Sequence, residues 1–125
     1  MDWNRLLSPK RIRHLLIGKE SVKSEDDPRS EFERDYDRTV FSTPVRRLQD
    51  KAQVFPLEPH DGIRTRLTHS LEVSSVARDV ARYLFKALAE KGVIDPEQVH
   101  EFSTIAATCG LLHDLGNPPF GHAGE

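Results

Sequence analysis

Two stretches with apolar residues at helical spacing, parted only by a glycine and a helix restart, leave this chain few folds to choose from. The first runs from about Thr68 to Lys91 and carries Val73, Val76, Ala77, Val80, Leu84 and Leu88 as its expected buried stripe. Gly92 is placed to end it, and Asp95-Pro96-Glu97-Gln98 restarts the chain with an acidic N-cap, a proline at the first helical position and a capping-box partner. The second stripe is Val99, Phe102, Ile105, Ala106, Cys109 and Leu112. Each needs an apolar partner, and the other is the nearest one. No segment alternates with the period of two that a strand requires, so the fold class is all-α.

Upstream of this pair, Phe32, Tyr36, Val40 and Phe41 recur at helical spacing from Glu31 onward, predicting an amphipathic helix. Thr43 as N-cap and Pro44 at the first helical position predict a short helix through Lys51 with Val45 and Leu48 inward. Residues 1 to 30 are different: a basic segment in which Ser8-Pro9 predicts a helix over 9–17, then a polar stretch that reads as a mobile linker. The expected division is therefore an N-terminal segment and linker over 1–30 and one domain over 31–125. A chain of 125 residues has room for one small domain. Its net charge of −2 provides no overall basic field for nucleic acid or anionic membrane. The single cysteine, Cys109, falls in an apolar helical pattern, so it is expected in the core and no intrachain disulfide can form. With no apolar leader at the N-terminus and no apolar run long enough to cross a bilayer, a cytoplasmic protein without membrane association is expected.

Chemistry concentrates where the second long helix ends. The apolar pattern runs into the vicinal pair His113-Asp114 and then into a Gly/Pro loop, Gly116 to Glu125, that holds His122 and Glu125. His69 precedes Val73 by four residues and Val76 by seven, which puts it on the apolar face at the start of the first long helix. If the two helices pack, His69, His113 and Asp114 supply two imidazoles and a carboxylate, a set suited to Mn²⁺, Fe²⁺, Ni²⁺, Co²⁺ or Zn²⁺ rather than Ca²⁺. A carboxylate beside an imidazole orients it and raises its pKa, so His122 with Glu125 nearby is a candidate general acid or base. Asn117 serves either as helix cap or as a hydrogen-bonding contact. Gln53-Val54-Phe55-Pro56-Leu57-Glu58-Pro59 cannot be regular helix, because each proline lacks a donor and restricts the residue before it.

Taken together, His69, His113-Asp114, the run from Gly116 to Glu125, and the stretches 41–58 and 64–73 resemble the N-terminal part of the bacterial deoxyguanosine triphosphate triphosphohydrolases. These belong to the HD-domain phosphohydrolases. The resemblance implies a helical HD architecture of which this chain holds a portion. It implies that His69, His113 and Asp114 are metal ligands, the metal being Mn²⁺ or Mg²⁺ with Ni²⁺, Co²⁺, Fe²⁺ or Zn²⁺ as alternatives. It further implies that His122 and Glu125 are the catalytic pair, that Gln53 and Val54 lie against the deoxyribose, that Arg66 meets the phosphates, and that Asn117 contacts substrate. The implied reaction is hydrolysis of a dNTP, by preference dGTP, to deoxynucleoside and tripolyphosphate. The implied partners are a second copy of the chain in a homo-oligomer such as a hexamer, and single-stranded DNA as a regulator. Family members carry a further aspartate ligand beyond the position of Glu125, so this piece alone is expected to be inactive. The alternatives are another HD-type nucleotide phosphohydrolase and a non-catalytic module that senses nucleotides or forms oligomers.

Overall fold

The computed structural model describes residues 2–10, 16, 18, 26–51 and 65–116. Among these the regular structure is helical: α1 (Trp3–Leu6), α2 (Glu31–Val40), α3 (Thr43–Arg46) with a 3₁₀ turn over Arg47–Asp50, α4 (Arg66–Glu90) and α5 (Gln98–Leu112). The all-α expectation holds. No described helix is long and apolar enough to cross a membrane. The predicted helix over 9–17 lies mostly outside the described residues, as does the loop with Gln53 and Val54.

The long helices end as their sequence predicts at one terminus and differ at the other. Gly92 adopts a φ of +69° after α4, and the N–H groups of Gly92 and Val93 donate to the carbonyls of Ala89 (2.9 Å) and Leu88 (3.0 Å). That is a Schellman closure, which a glycine enters without a Cβ penalty. α4 begins two residues earlier than expected, because Thr65 is its N-cap and its side chain accepts from the N–H of Thr68 at 3.2 Å. At the start of α5, Asp95 does not cap the helix itself. Gln98 is the first helical residue, and its side-chain oxygen accepts from the N–H of Asp95 at 3.2 Å, closing a turn ahead of the helix. α3 likewise starts after Ser42 rather than Thr43, and its second half tightens into the 3₁₀ turn.

The buried faces of α4 and α5 are not the ones the apolar stripes predict. On α4 the buried residues are Arg66, Ser70, Ser74 and Ala81, while Val76 is 63% and Val80 61% exposed. On α5 they are Ser103, Ala107, Gly110 and Leu111, and Cys109 is exposed rather than in the core. The reason is backbone proximity. The two helices meet through their small residues, and Ser74 Oγ donates across the crossing to the carbonyl of Ala107 at 2.8 Å. A valine stripe would hold the axes further apart. α4 therefore has two usable faces, and the polar-looking one with Ser70 and Ser74 forms this contact.

Around that crossing the apolar core is small. Val45 and Leu48 are buried as predicted, together with Leu7, Ile94 and Leu111. Phe85 and Phe102 stack at 4.0 Å between centroids, and Trp3 of α1 sets its edge against both rings. α2 contributes no fully buried residue, and Phe41 at its end is exposed. Phe32, Tyr36 and Val40 are half-buried, and polar contacts add to their packing. Ser30 and Glu33 form a complete capping box, and Glu33 also accepts from His100 Nε2 on α5 at 2.9 Å.

Those contacts make α2 sensitive to acid. The Ser30 N–H and then His100 hold the Glu33 carboxyl below its usual range. A carboxyl lowered on folding adds stability that is fully present above its unfolded pKa of about 4.3 and is lost as pH falls through the lowered folded value. Glu33→Gln keeps the cap and removes the charge. Thermal unfolding followed by circular dichroism should show a flatter decline of the midpoint below about pH 4.5 for that variant than for the wild type. Superimposable acid limbs would disprove the linkage.

Candidate metal centre

The start of α4 and the end of α5 converge on one point. Arg66 is the first residue of α4, and its N–H donates to the carbonyl of Lys51 at 2.9 Å, which ties the helix start to the end of the 3₁₀ turn. Three residues on, His69 sits one turn into the helix and is half-buried. His113 is the C-cap residue of α5, still with helical backbone angles. Its ring reaches back one turn, with Nδ1 2.7 Å from the carbonyl of Gly110. The two imidazole centroids are 5.1 Å apart with planes inclined by 69°.

The contact with Gly110 fixes the chemistry of His113. A carbonyl can only accept, so Nδ1 carries the proton and, in the neutral ring, Nε2 keeps its lone pair. That free nitrogen lies 3.6 Å from Asp114 Oδ2. One ligand atom each from His69, His113 and Asp114 fall within 4.8 Å of one another. With metal–ligand bonds of roughly 2.0–2.2 Å, atoms this near one another could share one divalent ion after the side chains turn inward. The donor set fits a divalent transition metal: neutral nitrogen with a defined tautomer, a carboxylate, and a backbone carbonyl holding the outer ring nitrogen. The Asp114 side chain is 14% accessible, against 34% for His113. Among the described residues this is the one group of histidine, cysteine and acidic side chains able to hold a metal ion.

Arg66 is 5% exposed and already engaged in a polar or electrostatic contact. Its place one turn before His69 brings it to the same helix end as the triad. Gln53, Val54, Asn117, His122 and Glu125 lie outside the described residues.

Sequence reasoning passed over the residues that make the convergence possible. Gly110 is packed so closely that a Cβ there would come within 2.9 Å of Ser74 Cα and 3.0 Å of Ser74 N and Val73 O. Ser70, next to His69, is fully buried, and its hydroxyl finds no hydrogen-bond partner among the described residues. The available signals were a glycine inside a helical pattern and two serines four apart on its neighbour. Both mark close backbone approach.

The HD domain family model matches residues 66–125, which start at the first residue of α4 and include the triad. A deoxyguanosinetriphosphate triphosphohydrolase-like protein of Synechocystis is 45% identical over 125 residues, covering 100% of this chain and 27% of the relative. One from Listeria monocytogenes is 44% identical with the same coverage of each chain. A deoxyguanosinetriphosphate triphosphohydrolase of Cronobacter sakazakii is 46% identical over 110 residues, covering 85% of this chain and 22% of the relative. The chain thus spans about a quarter of the length of the curated relatives it matches.

Proposed function

Because this chain belongs to the HD-domain family, we propose that the protein is a metal-dependent phosphohydrolase that splits dNTPs, dGTP by preference, into deoxynucleoside and tripolyphosphate. The observation that carries the reading is the meeting of His69, His113 and Asp114 at two helix ends, in a chain whose relatives bear that activity in their names. In this reading His69, His113 and Asp114 hold the ion, with Mn²⁺ or Mg²⁺ as its identity. The two-nitrogen donor set favours Mn²⁺ of the two, since Mg²⁺ prefers oxygen. When bound, the ion supplies Lewis acidity toward a phosphoryl oxygen.

The chain's own residues divide the remaining work. The Gly110 carbonyl keeps His113 in the tautomer that turns Nε2 toward the ion. Arg66, buried at the start of α4, offers a permanent positive charge to the triphosphate. Gln53 and Val54 border the deoxyribose, Gln53 accepting or donating to its 3′-hydroxyl, and Asn117 adds a polar contact to substrate. Water adds to the α-phosphorus, the bond from that phosphorus to the 5′-oxygen breaks, and tripolyphosphate and deoxynucleoside separate. His122, oriented by Glu125, gives its proton to the departing 5′-oxygen. The reading also includes a homo-oligomer such as a hexamer, regulation by single-stranded DNA, a cytoplasmic location, and a domain that begins near residue 31 after a linker.

The test is product analysis. The full-length protein is incubated with each dNTP and Mn²⁺, and products are followed by ³¹P NMR. Tripolyphosphate, formed fastest from dGTP, is expected. Pyrophosphate or orthophosphate as first product would point to another HD phosphohydrolase, and nucleotide binding without product to a sensing module. His122→Ala should lose turnover and keep its metal; loss of metal in that variant would contradict the role given to His122.

A further inference from the structure

Away from the metal centre, α2, α4 and α5 enclose a cleft of about 560 Å³, within the size range of small-molecule pockets. It lies about 13 Å along α4 from His69, counted from Arg78, and about 9 Å along α5 from His113, counted from Ala107. Its charges sort cleanly into those that are matched and those that are not. Arg29 is taken up by Asp37 at 2.7 Å and Asp27 at 2.9 Å. Glu33 is taken up by the Ser30 N–H at 2.7 Å and by His100 at 2.9 Å. Two cations remain, Arg78 and Arg82, one helical turn apart on α4.

Arg78 is half-buried. Its Nη2 donates to the hydroxyl of Tyr36 at 3.2 Å, and its guanidinium lies 5.5 Å over that ring. Among the described residues no carboxylate pairs with it; Glu33 and Asp37, which line the same cleft, are engaged by His100 and Arg29. The carboxylate nearest Arg82 is that of Asp79, at 3.9 Å with both side chains mostly exposed, a pairing too long and too wet to neutralise it. A partly desolvated guanidinium, fixed in direction by an aromatic ring and lacking a counter-ion, is a ready partner for an oxyanion. Beside it the cleft has apolar wall from Val99, Pro96 and Ala107. Two guanidiniums one turn apart can between them donate to several oxygens of one tetrahedral phosphate, more than the two oxygens a carboxylate offers.

We propose that this cleft binds a phosphate monoester, the dianionic head between Arg78 and Arg82 and the apolar body along Val99 and Ala107. The site is independent of the phosphohydrolase reading and shares no residue with the metal triad.

Phenyl phosphate is the probe. Titrated calorimetrically into the full-length protein, it should bind saturably, with benzoate weaker and phenol silent. Arg82 is exposed, so Arg82→Gln leaves the fold intact and should weaken binding about tenfold, the effect of losing one charge-assisted contact. Arg78→Gln should lose binding, and Arg78→Lys, which keeps the charge beside Tyr36, should recover part of it. His113→Ala separates this site from the metal centre and should bind phenyl phosphate as the wild type does. No saturable heat, an affinity unchanged in Arg82→Gln, or binding abolished in His113→Ala would each overturn the proposal.

Discussion

His113→Ala should leave the full-length protein without its metal and reduce dNTP turnover by at least about a hundredfold, the lower range being what the loss of a supporting contact alone costs. The reasoning starts from the tautomer. Nδ1 is committed to the Gly110 carbonyl, so Nε2 is the one nitrogen of this ring free to ligate, and alanine replaces it with nothing. Two ligands of the described triad would remain, His69 and Asp114, from different helices. The fold should tolerate the change, because His113 lies at the end of α5 with a third of its side chain exposed, and the lost hydrogen bond costs about 1 kcal/mol. Metal content by elemental analysis and unfolding in the presence of chelator check the two halves. A variant that keeps one metal per chain would remove His113 from the ligand set. A variant that unfolds without regard to chelator would mean the residue is structural.

Gly110→Ala should destabilise the protein by about 1–3 kcal/mol, against the helix-propensity gain of up to about 1 kcal/mol that the same change brings in an open helix. The sign decides the matter. A Cβ at residue 110 meets Ser74 Cα at 2.9 Å, Ser74 N at 3.0 Å and Val73 O at 3.0 Å. All three are backbone atoms, so the clash is relieved only by moving α4 as a body. That movement stretches the Ser74–Ala107 hydrogen bond of 2.8 Å and draws His69 away from the 113/114 pair. Weaker metal binding should therefore accompany the lost stability in Gly110→Ala, although residue 110 contributes no ligand side chain. Chemical denaturation and metal titration of the same preparations measure both. A more stable variant with unaltered metal affinity would show that the helices have slack at this crossing.

The exposed valines belong to the same picture. Val76, Val80, Tyr83 and Leu84 are all exposed and fall on one side of α4, so the helix is apolar on a face that the described residues leave uncovered. A stripe in a sequence records that a face is to be buried and does not record by what. The expectation that it packs on α5 took the nearest partner, and the structure gives that place to Ser70, Ser74 and Gly110. The misplacement of Cys109 and Phe41 has the same origin, since a rotation of about 100° around a helix separates one face from the next.

What the sequence determined by itself was local. Helix content, the Gly92 stop, the inward Val45 and Leu48, and the presence of two imidazoles and a carboxylate near helix ends all follow from propensity, capping and spacing along a few residues. The tertiary structure alone decided which faces meet, that His69 and His113 come within ring contact, and that Nδ1 of His113 is spent on a carbonyl so that Nε2 is free. The physical reason is that helix contacts are chosen by how closely backbones can approach. Glycine and serine permit the tightest crossing, and a pattern of hydrophobicity carries no measure of distance.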